Sequence, residues 1–202
     1  RVDGPGFAGP VANTGDIITI ESMGSQDVPN PGFLNDGLTS KLVSRDFGFG
    51  NTEGTVSVGG VDIPEANVTW NNYAITAEIP AGMTSGQLVV TRGDNGNSTQ
   101  VGVTLTVNPT QLVRTVPQGG SIQATIDAAD PGDLIIVPGG LYNENVIIDR
   151  GIQLQGVGAG STIISGTNLP TSRAVAWRAA LQAKLDAGLA QLLPGQEGPV
   201  AE

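Results

Sequence analysis

The side chains that could do chemistry in this sequence are few, and nearly all are carboxylates. Across 202 residues there is no Cys and no His, which removes thiolate and imidazole nucleophiles and bases, and with them the usual ligands of zinc, copper and haem. A metal site would have to be all oxygen, hence calcium-like; no other cofactor is implied. Asp127, Asp130 and Asp133 gather around Pro131-Gly132, and Glu144 stands close to Tyr142. Paired carboxylates serve acid–base catalysis and calcium ligation. Here, however, Asp130-Pro131-Gly132-Asp133 reads first as helix termination and turn chemistry. Glu144 could be one half of a carboxylate pair, but the sequence identifies no second carboxylate for it, and a solvated turn is its default. No catalytic residue and no metal ligand is assigned.

Four other patterns could serve recognition or ion binding. Arg92-Gly93-Asp94 falls between two strand-like runs, where some extracellular sandwich domains display an adhesion tripeptide, although Gly-Asp is equally a hairpin signal. Asp94-Asn95-Gly96-Asn97 is rich in oxygens but lacks the spacing and closing Glu of an EF-hand loop. Phe47, Trp70 and Tyr73 would make an aromatic sugar platform if exposed, but alternation places Trp70 in the core with Val68. Near the C-terminus, Trp177, Leu181, Leu185, Leu189 and Leu192 recur at helical spacing, interrupted by Arg178. Such an apolar stripe must bury itself somewhere. The candidate interaction residues are therefore Trp177, Leu181, Leu185 and Leu189 on a helix, and Arg92, Gly93 and Asp94 in a turn.

Nine basic residues against nineteen acidic ones leave a net charge of −10, so a phosphate backbone is repelled and nucleic acid is not an expected partner. No apolar run approaches the ~18 residues that span a bilayer. The N-terminus, Arg1-Val2-Asp3-Gly4-Pro5, has no signal-peptide core; this is expected of a chain whose signal has been removed or of an internal piece of a longer one.

The elements that must position these residues are short. Glycine and proline are frequent, and apolar residues come in brief runs, which predicts an all-β chain with one helical exception at the C-terminus. Residues 1–16 read as a linker or arm. Strands are expected at Ile17–Ile20, Lys41–Ser44, Thr55–Val58, Asn67–Trp70, Ala74–Ile79, Gln87–Thr91 and Val101–Val107, and seven short strands suggest a sandwich. Alternation predicts a core of Val56, Val58, Val68, Trp70, Ile75, Ala77, Ile79, Leu88, Val90, Val101, Val103, Leu105 and Val107. After a linker at 108–120, Ser121 caps a helix whose face is Ile122, Ile126 and Ala129. Brief strands follow at Leu134–Val137, Asn145–Ile148, Ile152–Gln155 and Ser161–Ile164.

Two resemblances sharpen this outline. Asp46-Phe47-Gly48-Phe49-Gly50, then Thr55-Val56-Ser57-Val58-Gly59-Gly60, Val68-Thr69-Trp70-Asn71-Asn72, Ile79-Pro80 and Ser85-Gly86-Gln87-Leu88-Val89-Val90 resemble the TIG or IPT immunoglobulin-like domain over about residues 17–107. Asp27–Ser40 departs from that pattern, being longer and richer in Pro, Asn and Gly. The helix, Pro131-Gly132-Asp133 leading into Ile135-Ile136-Val137, Gly140 to Val146, and Ile152 to Gly156 leading to Thr162-Ile163-Ile164 resemble the N-terminal entry of the pectate-lyase-like right-handed parallel β-helix. That likeness covers about residues 113–169, with the cap and first coils at 121–170, and residues 171–202 form an amphipathic helix and tail.

What the resemblances imply is a secreted or cell-surface protein, bacterial or archaeal, acting as a non-catalytic structural or adhesive module that assembles with copies of itself or contacts surface glycan or protein. The alternative is the front of a β-helix carbohydrate-active enzyme, since lyases and esterases of that fold carry their catalytic groups on central coils that lie outside this chain. A solenoid coil cannot bury its inner face alone. Ile148, Leu154 and Ile163 are expected to be inner residues at an open end, covered by the C-terminal helix of the same copy or a neighbour.

Overall fold

The computed structural model describes residues 1–5, 9–166 and 171–188. In chain order the strands are β1 (Val2–Asp3), β2 (Val11–Ala12), β3 (Ile17–Glu21), β4 (Ser25–Pro29), β5 (Leu42–Asp46), β6 (Thr55–Val58), β7 (Val61–Asp62), β8 (Val68–Trp70), β9 (Ala74–Glu78), β10 (Gly86–Thr91), β11 (Val103–Val107), β12 (Val113–Thr115), β13 (Leu134–Val137), β14 (Gly140–Tyr142), β15 (Gln153–Gly156) and β16 (Thr162–Ile164). Helix α1 (Ile122–Asp127) precedes β13, and α2 (Thr171–Asp186) follows β16. The chain is mainly β, with a helix near the C-terminus, as the sequence predicts. No described helix is long and apolar enough to cross a membrane.

Two sheets share one core. Their strand orders are β1-β3-β9-β8 and β2-β11-β10-β6-β7, antiparallel except where β2 runs parallel to β11. Period-two alternation turns Ile18 and Ile20 inward opposite Ala77 and Ile75, and Val56 and Val58 inward opposite Val90 and Leu88. Most of the predicted core is buried. Val68, Trp70 and Val103 are only partly buried against it, and Val101 is 81% exposed, outside β11. Ile63 and Met83, which carry no alternation signal, are buried with the rest.

Three expected boundaries are corrected. Residues 1–16 are not a linker: Val2 pairs with Ile20 in one sheet and Val11 with Thr106 in the other. These strands are two residues long, so their backbone bonds depend on neighbours distant in sequence. The strand expected at Lys41–Ser44 is β5, but it joins neither sheet; it pairs with β4 alone as a separate hairpin. The supposed linker 108–120 contains β12, which opens the second region.

In that region all the strands pair in parallel. β12, β13 and β15 form one ladder, β14 and β16 another. Paired residues, such as Val113 with Leu134 and Leu134 with Gln153, lie about 20 residues apart. Ser121 caps α1 by accepting the Ala124 N–H at 3.2 Å, and Ile122, Ile126 and Ala129 are buried, as predicted. The strand expected at Asn145–Ile148 is instead β14; the buried apolar residue that anchors the turn is Tyr142, whereas Ile148 is half exposed.

Leu134-Ile135-Ile136-Val137 is buried on both faces, the signature of a covered parallel strand. Ile135 and Val137 join Val116, Ile122, Ile126, Ala129 and Tyr142 in one buried cluster. Leu134 and Ile136 face the other way and pack with Val11 and Val157. Val2, Gly9 and Val11 thus lie between the two sheets and the parallel ladders. Val2 N donates to Val157 O at 3.0 Å, the Gln155 amide donates to Thr104 O, and a side chain on Gly9 would collide with Ile136.

Helix α2 departs from the expected amphipathic packing. Its apolar residues are spread around the helix, with Val175, Trp177 and Leu181 all largely exposed and Leu185 half-buried. Lys184 Nζ lies 3.6 Å from Asp149 Oδ2, a tie to the coil that is polar. Leu189, Leu192 and Leu193 lie outside the described residues.

Candidate functional site

The two parallel ladders end on β15 and β16, beside an open cleft. Among the described residues, β15 and β16 each pair with a strand on one side only. Their other sides carry the outward backbone N–H and C=O groups of a sheet edge, a template for a further strand. Register assigns the side chains beside that edge. Leu154 pairs with inward Ile135, and Ile164 with buried Tyr142, whereas Ile163 pairs with outward Leu141. Of the three inner residues expected from the sequence, only Leu154 takes that place. Ile164 replaces Ile163 because alternation counts from Tyr142, and Ile148 lies in no strand.

Leu154 and Ile164 line an open cleft of ≈630 Å³ together with Val137, Thr162 and, from the sheets, Val103 and Thr104. Its corner is fixed by Thr162: the hydroxyl donates to Val137 O at 3.1 Å and accepts from Val157 N at 3.1 Å. Gly156 leaves room for this side chain, since a Cβ there would press on Thr162. Helix α2 contributes none of the residues lining the cleft. Trp177 and Leu181 therefore do not cover the coil end within this chain.

The carboxylates singled out by sequence serve structure. Glu144 is not a solvated turn: Oε1 accepts from Ile122 N at 2.9 Å, and Oε2 accepts from Gln123 N at 3.1 Å and Ser121 Oγ at 2.8 Å. Backbone N–H groups that α1 leaves unbonded at its N-terminus thus meet a negative charge. A sequence signal for this existed. Ser121 lacks the Glu or Gln three residues later that completes a capping box, Ala124 standing there instead, which leaves the first N–H groups of α1 open to a distant acid.

At the other end of α1, Arg150 Nη1 donates to Asp127 O at 3.2 Å and Ala129 O at 3.0 Å. Asp149 holds that guanidinium at 2.8 Å, and the pairing lowers the Asp149 pKa. Asp133 is buried, 2.6 Å from Arg114 Nε and bonded to Asp130 N; these contacts, the arginine first, pull its pKa below the ordinary range. Asp127 accepts from Gln123 Nε2 at 2.7 Å, while the Asp130 side chain is largely exposed. Burial raises the Tyr142 pKa, and its hydroxyl donates to Pro138 O at 3.1 Å. Among the described residues no three Asp or Glu side chains gather as a metal site.

Arg92-Gly93-Asp94 is folded on itself. Arg92 Nε and Nη2 donate to the two Asp94 oxygens at 2.9 and 2.6 Å, and Nη1 donates to Gly48 O at 3.0 Å. The first of these contacts lowers the Asp94 pKa. Gly93 runs against Glu53, whose carbonyl would strike any Cβ there. The aromatic trio is divided: Trp70 is half-buried, donates to Gly50 O at 2.9 Å and meets Phe49 edge-on at 6.0 Å, whereas Phe47 and Tyr73 are exposed. Chemically, then, the arrangement offers an apolar cleft bordered by free strand edges. No protein-family model matches this chain, and no curated protein matches it.

Proposed function

We propose that this chain is a non-catalytic structural or adhesive module of a secreted or cell-surface protein, bacterial or archaeal. It joins a TIG-like immunoglobulin sandwich to the cap and first coils of a right-handed parallel β-helix. The observation that carries this reading is the asymmetry of the parallel region. One end is closed by α1, whose Ile122 and Ile126 fill the coil, while the other ends on the free edges of β15 and β16 beside Leu154 and Ile164. A solenoid with a capped start and an open finish is a seed for further coils. The buried contact of Val11 with Ile136 and Val157 supports a spacer that transmits orientation from the sandwich to those coils. The acidic surface favours protein or glycan partners over nucleic acid.

The test is incubation of the chain with pectin, alginate and similar acidic polymers, with and without calcium. No product release is expected, and clear turnover overturns the reading. The same open end favours a second reading, the front portion of a β-helix lyase or esterase. Turnover confined to a longer product bearing further coils would establish that one.

A further inference from the structure

We propose that this chain carries tension, and that the pairing of β2 with β11 is the clamp through which it does so. The inference deepens the structural-module reading given above and rests on it.

Among the described residues of the two sheets, one pairing alone is parallel: Val11 with Thr106 and Ala12 with Val107. It joins the first strand of its sheet to the last. Direction matters because of where tension acts. A pull on the residues ahead of β2 drags that strand towards its start, and a pull on the residues beyond β11 drags that one towards its end. In a parallel pair these motions oppose each other along the strands, which must then slide, so that every bond between them breaks in the same step. An antiparallel pair loaded through the same two ends would peel apart one bond at a time.

The bonds of this pair form a row along the strands. Thr106 N donates to Pro10 O and Asn108 N to Ala12 O, each at 2.9 Å. A side-chain latch continues the row beyond the paired residues: Asn108 Oδ1 accepts from Thr14 N at 2.9 Å, and Asn108 Nδ2 donates to Thr14 Oγ1 at 3.1 Å. Asn108 makes this reach from a φ of 48°, a left-handed conformation that Asn tolerates better than most residues. On the far flank of β11, the Ser85 hydroxyl accepts from Val107 N at 2.9 Å. The middle of the row is shielded from water. Pro10, Val11, Ala12 and the residues from Leu105 to Val107 are buried, and Leu134, Ile136 and Val157 of the parallel region pack with Val11. A stretched bond that water cannot reach has no substitute partner, so opening it leaves buried polar groups unpaired. The parallel region thus covers the clamp that precedes it in the chain.

The test is single-molecule force spectroscopy of the full chain through two introduced thiols, which attach uniquely because the chain has no Cys of its own. Pro5→Cys with Thr110→Cys loads β2 and β11 in shear. Asn13→Cys with Thr110→Cys instead pulls neighbouring ends of the same two strands apart. All three positions are exposed, so both forms should keep the circular dichroism and melting of the wild type. At one fixed load the shear form should hold at least about tenfold longer than the peeling form, since forced unfolding follows the unfolding rate. Asn108→Gly accepts the same positive φ but loses both latch bonds, and should shorten the shear lifetime about tenfold. Equal lifetimes in the two geometries overturn the proposal, as does an Asn108→Gly form that holds in shear as long as its parent. Either result removes the clamp and leaves the non-catalytic reading standing, whereas turnover of an acidic polymer removes that reading and leaves the lifetimes as they are.

Discussion

Glu144 Oε1 lies 2.9 Å from the backbone nitrogen of Ile122 and accepts its N–H, so a carboxylate from the segment after β14 caps the helix between β12 and β13. Arg150 closes the other end of the same helix. A helix of one and a half turns has little intrinsic stability, and opposite charges at its two ends match its dipole. These long-range caps act beside the burial of Ile122 and Ile126 in holding it in place.

Glu144→Ala should therefore lower the stability of the parallel region by about 1–2 kcal/mol, the range for a lost helix cap, and Glu144→Gln by less, because the amide oxygen still accepts one bond. Urea unfolding followed by far-ultraviolet circular dichroism measures both. Equal stability of Glu144→Ala and wild type would show that water replaces the cap at no cost.

Val11 is fully buried between the sheets and Ile136. Truncation by Val11→Ala should cost about 2 kcal/mol in lost burial and residual cavity. It should also uncouple the two regions, so that one thermal transition becomes two and protease reaches the 108–112 connection. A single unshifted transition would mean that the junction is mere contact without energetic coupling.

Asp133 has a folded pKa below its ordinary value of 3.8 because Arg114 and the Asp130 N–H favour the carboxylate. A depressed folded pKa means that the unfolded chain binds more protons in acid, so the contribution is full above about pH 4 and is lost as pH falls towards the folded value. Asp149, beside Arg150, behaves alike. Asp133→Asn should melt earlier than wild type at neutral pH, with the gap closing below about pH 4. Melting temperatures from pH 2 to 7 provide the check; a gap independent of pH would assign the effect to packing rather than charge.

Local pattern places what depends only on neighbouring residues. Alternation placed Val56, Val58, Ile75, Ala77, Leu88 and Val90 in a core because a strand turns every second side chain to the same face. The unbroken Leu134-Ile135-Ile136-Val137 marked a strand, and Ser121 with Ile122 and Ile126 marked a capped helix. Chemistry by Cys or His was excluded by composition alone.

Tertiary structure decided whatever depends on a partner far along the chain. Val2-Asp3 and Val11-Ala12 are too short to show periodicity, and they became strands only because Ile20 and Thr106 offered edges. Glu144 became a cap because the coil returns it to Ser121. Ile164 rather than Ile163 turned inward because its register is counted from Tyr142 on a neighbouring strand. Trp177 and Leu181 had the right spacing for an apolar stripe, yet both remain largely exposed. Spacing gives a side chain its direction on a helix, but burial requires a surface across from it, and only the three-dimensional arrangement supplies that surface.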